Sequence, residues 1–245
     1  LAHAGAWLQK ENGGIFLSQY RQYYTEEYFD KNGEKYSDFA FYKAEYNPYG
    51  EYGVTDWLTV GGSANIQAII NRDTMNNQNT DLYLNNIEAF FRLPLYAQGA
   101  FVSSIEPRAY IPIDSSLSIN PDGNRIMPEL KLSFGYDLGE GDYIDASILY
   151  IKRTDDGLDD MVKTEISYNY KITDEFAVLT QYTDENSRGD ISANNDKNYD
   201  LEKLGLNLVW DKYKRMSYQI GVTYDINGRN TGSGIGVNYS VGYKF

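Results

Sequence analysis

The chain has 245 residues, 22 Lys+Arg against 35 Asp+Glu, a net charge of −13, no Cys and one His. That acid excess argues against nucleic acid as partner, because nothing would neutralise phosphates. The missing Cys excludes disulfides and thiolate metal sites. No apolar run reaches the ~18 residues of a transmembrane helix. A mean hydropathy of −0.55 is still compatible with a membrane barrel, which shows lipid only every second residue.

Ala2-His3-Ala4 fits the small-x-small pattern before a signal-peptidase cut, with Gly5 as a mature start; chance supplies three such residues almost as readily. Residues 1–13 are read as a leader remnant and a periplasmic segment without a clear period. The first predicted strand is about 14–29, with Phe16, Tyr20 and Tyr24 in one register and Gln19 and Arg21 in the other. The second, about 39–52, sets Tyr42, Ala44, Tyr46 and Tyr52 against Lys43, Glu45, Asn47 and Glu51. After a turn at 53–56 the third alternates Leu58, Val60, Gly62, Ala64, Ile66, Ala68 and Ile70 with Thr59, Gly61, Ser63, Asn65 and Gln67. Successive side chains on a strand take opposite faces, so each of these has one apolar face and one wet face.

The fourth strand, about 82–93, changes phase at Asn85-Asn86, which predicts a bulge there. Glu88 and Arg92 share its wet face. A turn is expected at Pro94, then a fifth strand to about 110 with Glu106 and Arg108 wet; Pro107 is expected to mark another bulge. The sixth sets Leu130, Leu132, Phe134 and Tyr136 against Glu129, Lys131, Ser133 and Asp137. The seventh (Ile144, Ala146, Ile148, Tyr150) carries Asp145, and the eighth alternates Val162 to Tyr170 with Lys163 to Lys171. The ninth runs through Phe176, Val178 and Tyr182, and 185–197 is read as a loop. The tenth (Leu204, Leu206, Leu208, Trp210) carries Lys203; the eleventh holds Tyr218, Ile220, Val222 and Tyr224. Asn227-Gly228 is read as a turn. The last eleven residues put Ile235, Val237, Tyr239, Val241, Tyr243 and Phe245 on one face and Gly236, Asn238, Ser240, Gly242 and Lys244 on the other.

Twelve strands separated by alternately short and long connections predict an all-β, antiparallel, up-and-down transmembrane barrel over 14–245, both termini periplasmic. Trp57 and Trp210 fall at the short-turn edge, with Trp7 on the same side. With Tyr243 and Phe245 they are expected at the membrane interface, where an apolar ring with a polar handle is favoured. A soluble barrel would reverse the faces, but charges of both signs at mid-strand leave no second apolar core.

The wet face therefore holds the candidate functional residues. Its cations are Arg21, Lys43, Arg92, Arg108, Lys131, Lys163, Lys171 and Lys203; its anions are Glu45, Glu51, Glu88, Glu106, Glu129, Asp137, Asp145 and Glu165. Buried charges must be paired or hydrated, so these predict a water-containing, charge-balanced lumen. No catalytic site is expected, since His3 lies in the leader and no other neutral-pH base exists. No cofactor or transition metal is expected either. Asp155, Asp156, Asp159 and Asp160 could hold Ca²⁺, a solvated acidic loop being the better reading. Arg188-Gly189-Asp190 matches an adhesion tripeptide by three residues only.

The closing strand with its terminal Phe245 resembles that of bacterial outer-membrane β-barrels. Residues 14–245 as a whole resemble monomeric twelve-stranded channels and porins, and the turn phrase 53–61 is similar to outer-membrane transporters of aromatic-degradation pathways. The resemblance implies a bacterial outer-membrane location, contact with lipid and lipopolysaccharide, and recognition of the last strand by the barrel-assembly machinery. It implies a monomer passing small polar or zwitterionic solutes. A non-conducting barrel that works through its loops or anchors a surface or secretion partner is the alternative. Related acidic-oligosaccharide channels line their pores with basic tracks, from which this balanced set departs.

Overall fold

Residues 5–37, 40–72, 78–113, 125–154, 158–189, 198–213 and 215–245 are described by a computed structural model. Among them thirteen strands form one antiparallel sheet: β1 (Gly14–Phe29), β2 (Lys35–Tyr36), β3 (Ala40–Thr55), β4 (Leu58–Arg72), β5 (Gln78–Gln98), β6 (Phe101–Pro112), β7 (Met127–Gly139), β8 (Asp142–Ile151), β9 (Met161–Lys171), β10 (Phe176–Ser187), β11 (Asp200–Tyr213), β12 (Met216–Arg229) and β13 (Thr231–Lys244). Each long strand pairs with the next, and β13 pairs with β1, so twelve strands close a ring. The two-residue β2 lies outside it, adding to β1 beyond the end of β3.

Closure disposes of the sheet edge. From Ile15↔Lys244 to Tyr24↔Ile235 the seam runs in unbroken register, and Gly14 and Phe245 exchange backbone hydrogen bonds at 3.1 and 3.0 Å. The β1–β13 and β1–β3 pairings put the start of β1, the end of β13 and the 56–57 turn on one rim. That rim also carries the short connections 99–100, 140–141 and 172–175; the strand ends at Phe29, Arg72, Pro112, Ile151, Ser187 and Arg229 stand at the opposite rim.

Alternation then sorts the side chains as the sequence predicts. Phe91 is 58 % exposed, Ile220 56 % and Leu206 53 %, whereas Glu106 is 2 % exposed and Asn169 and Asn207 are wholly buried. An exterior of Ile, Leu, Val, Phe and Tyr around an interior of Asn, Ser, Glu and Arg suits hydrocarbon outside and water within. The exterior also supplies aromatic pairs at the short-turn rim. Trp210 stacks on Phe176 (6.1 Å, 4°) and leans on Tyr218 (5.5 Å), while Tyr243 stacks on Phe245 (6.3 Å). Trp57 stands exposed in the 56–57 turn.

The bulge expected at Asn85-Asn86 is present: Asn65 pairs with Asn86 and Ile66 with Leu84, leaving Asn85 extra. Three local expectations are corrected. Pro94 does not turn the chain; β5 continues to Gln98, with a register shift between Pro94 and Tyr96 that relieves the ladder of a proline nitrogen. Pro107 pairs with Leu130 without a register shift toward β7. Asn227-Gly228 stays within β12, and the chain reverses at Asn230 (φ 52°), a residue type that tolerates the left-handed region.

The register assignment is testable at two neighbouring positions. Ile66→Arg, on the exterior near mid-strand, is expected to cost about 2–4 kcal/mol in reversible denaturant unfolding from lipid vesicles. Asn65→Arg, on the interior beside Glu45, is expected to cost far less. Equal costs would reverse the assigned faces.

Candidate functional site in the barrel lumen

Strands of the two-residue period bring the inward series of twelve walls around one space, and charges there meet across strands. The densest group lies on β3, β5, β6 and β7. Arg92 pairs with Glu51 (2.9 Å) and Glu106 (2.7 Å); Arg108 pairs with Glu106 (3.0 Å), Glu129 (3.2 Å) and Glu88. Both guanidinium groups lie against the Phe90 ring, their central carbons 5.3 and 5.5 Å from its centroid, and Tyr49 stacks on the same ring at 5.9 Å. The Tyr49 hydroxyl donates to Glu51. Glu106 is shared by two arginines, which makes it the hub of the group.

A second group spans β7, β9, β10 and β11. Lys131 (3.5 Å) and Lys163 (3.2 Å) pair with Glu165, and Lys163 (3.5 Å) and Lys203 (3.4 Å) pair with Glu185. Lys43 pairs with Glu45 (3.1 Å), whose carboxylate also accepts from Gln67 Nε2 (3.0 Å). Lys171 pairs with Asp174 in the rim turn at 2.7 Å. Arg21 forms no ion pair among the described residues. Asp145 stands outside both groups, and Asp137 accepts from the Gly139 N–H (2.8 Å).

Sequence reasoning missed Glu185, placed in a loop but lying within β10 between two lysines. Its odd-numbered register with Ala177 and Gln181 was the available signal. Phe90 and Tyr49 were also missed as lumenal groups, because an inward aromatic gives no sign of its face when the outward series is aromatic too.

The larger correction concerns residues 5–13 and Trp7. They do not stand off the barrel: residues 5–9 lie inside the short-turn end, and residues 10–13 cross its rim. The Ala6 N–H donates to Asp145 Oδ2 (3.1 Å), Arg92 Nη1 donates to the Trp7 carbonyl (3.1 Å), and Gln9 donates from its backbone to Thr59 Oγ1 (2.8 Å). Gln9 Nε2 also donates to Glu51 Oε2 (2.9 Å), and the Asn12 N–H to the Gly53 carbonyl (2.8 Å). The Trp7 ring meets Tyr143 edge-on (5.5 Å) and lies over Gly135, where a Cβ would fall 2.4 Å from the indole. At Gly53 a Cβ would fall 2.0 Å from the Lys10 carbonyl oxygen. Two inward glycines thus make the room this segment occupies. Its contacts are non-local and aperiodic, so no sequence pattern announces them.

Asp155, Asp156 and Asp190 lie outside the described residues. Asp160 pairs with Lys152 (3.1 Å) and Asp159 accepts from Asn198, so these two acids are engaged within the wall of the outer connections.

No family model matches the sequence, and no curated protein matches it. Among solved structures the chain is similar to an outer-membrane channel from Pseudomonas putida F1, with a TM-score of 0.78 and 14 % identity over 100 % of both chains. It is similar to the NanC porin, with a TM-score of 0.63 and 13 % identity over 95 % of this chain and 100 % of that one. The translocator domain of the autotransporter NalP from Neisseria meningitidis gives a TM-score of 0.57 at 11 % identity, over 100 % and 91 %. At such identities the likeness is one of fold.

Two substitutions test the geometry. Glu106→Ala leaves Arg92 and Arg108 each short of a buried partner and is expected to destabilise the barrel by about 3–5 kcal/mol, read from denaturant midpoints. Gly135→Leu fills the seat of Trp7 and is expected to expose residues 5–13 to limited proteolysis while the barrel stays protected. Unchanged cleavage would contradict the seat.

Proposed function

We propose that this chain is a monomeric channel of the bacterial outer membrane for passive, restricted diffusion of small polar or zwitterionic solutes. The observation that carries the reading is the state of the inward side chains. Arg21 and Gln181 point into the barrel and yet are exposed, and the Glu165 side chain is 42 % exposed. Only an aqueous space inside the ring accounts for exposed groups on its inner face. Apart from Arg21, most of the charges bordering that space are paired, so neither anions nor cations meet a strong one-signed field.

Restriction comes from two sources. Twelve strands enclose a narrower lumen than the sixteen of general porins, and residues 5–13 occupy part of it. The roles of two similar folds, a Pseudomonas putida outer-membrane channel and the NanC porin, support a channel. The exterior belt supports lipid and lipopolysaccharide as its surroundings, and the apolar closing strand supports handling by the barrel-assembly machinery. The long connections then face outward and both termini the periplasm.

The inserted amino-terminal segment also favours a second reading, a closed barrel acting through its outer connections or as an anchor. Proteoliposome swelling separates the two. Swelling in glycine and serine but not in raffinose is expected for the channel; no swelling in any solute from folded, inserted protein would favour the closed barrel. Deleting residues 5–12 is expected to speed swelling severalfold. An unchanged rate would mean that the segment does not limit passage.

A further inference from the structure

Lumenal cations are almost all committed. Lys43, Arg92, Arg108, Lys131, Lys163 and Lys203 each hold a carboxylate of the barrel within 3.5 Å. Away from the short-turn rim, where Lys10 and Lys244 lie, Arg21 is the inward cation of the described residues that holds none. It sits at mid-strand in β1, paired by register with Glu45 on one side and Asn238 on the other. Glu45 is already engaged by Lys43, Asn65 and Gln67. Arg21 is nevertheless exposed on the inner face of the ring. In the order of strands around the ring, β9 with its Lys163–Glu165 pair lies across from β1.

We infer that Arg21 is the solute contact of the lumen, binding the carboxylate of small carboxylic acids and amino-acid zwitterions as they pass. This rests on the channel reading and names its substrate class. A guanidinium presents a planar fork of donors that matches a carboxylate with two parallel hydrogen bonds. A hydrated guanidinium sheds little protein structure when it binds, and water competes with it. The contact is therefore weak enough to release what it selects, as conduction requires. Glu165, the most exposed lumenal acid of the ion pairs, is already held by Lys131 and Lys163. The paired arginines held on Phe90 serve the wall.

The test compares wild type, Arg21→Gln and Arg21→Lys in planar bilayers under a KCl gradient, with malonate added as blocker. In parallel, line broadening of ¹³C-malonate is measured with each protein in detergent micelles. Arg21→Gln is expected to weaken malonate block roughly tenfold or more, to move the reversal potential toward cation preference, and to abolish the broadening. Arg21→Lys is expected to keep the reversal potential and lose most of the block, since it retains charge without the fork. Conduction with block and reversal potential unchanged in Arg21→Gln would overturn the inference and leave the channel standing. Silent bilayers with broadening that Arg21→Gln removes would sink the channel reading and keep the carboxylate site. Wild-type protein that neither blocks nor broadens would overturn the inference outright.

Discussion

The interaction on which the structure depends is the backbone seam between β1 and β13. In hydrocarbon an unpaired N–H or C=O costs several kcal/mol, so a sheet that enters a bilayer must have no edge. The ten consecutive pairings from Ile15↔Lys244 to Tyr24↔Ile235 remove the last one. Once the ring is closed, every strand has an outside and an inside, and the two-residue period assigns each side chain to the exterior or to the lumen. The apolar exterior and polar interior follow from closure together with alternation, without any conventional core.

The same constraint explains why the interior is organised as ion pairs. Charged side chains on the inner wall are shielded from bulk water by their neighbours, and a buried charge is tolerated only when paired or hydrated. Adjacent strands lie about 4.8 Å apart, so acids and bases in facing register reach one another, as Glu106 reaches Arg92 on β5 and Arg108 on its own strand. Phe90 supplies a flat surface against which both guanidinium groups lie, in the geometry of cation–π contact. The wall thus neutralises itself. What remains for solutes is the unpaired remainder, and the amino-terminal segment adds hydrogen-bonding groups at one end.

Much of this was legible because the signal is periodic. β4 from Leu58 to Ala68 and β13 from Ile235 onward alternate cleanly, the phase change at Asn85-Asn86 marks a true bulge, and Trp57 and Trp210 stand at the expected rim. The misreadings share one cause: local residue chemistry was overruled by the ladder. Pro94 suggests a turn, but a bulge excuses its missing N–H. Asn227-Gly228 suggests a hairpin loop, but pairing with β11 carries the strand on to Arg229. Glu185 sits in a polar stretch that resembles a loop until its lysine partners on β9 and β11 are in place. Trp7 was illegible in principle, since its seat on Gly135 and Tyr143 is made by residues more than a hundred positions away.

A ring that encloses a continuous aqueous path bordered by mutually neutralising charges conducts ions of both signs. Single-channel recording of refolded protein in planar bilayers, with the reversal potential taken under a salt gradient, tests it most directly. Discrete small conductance steps with weak ion selectivity are the predicted result. Silence from protein shown to be folded and inserted, or strong selectivity for one ionic sign, would contradict the account.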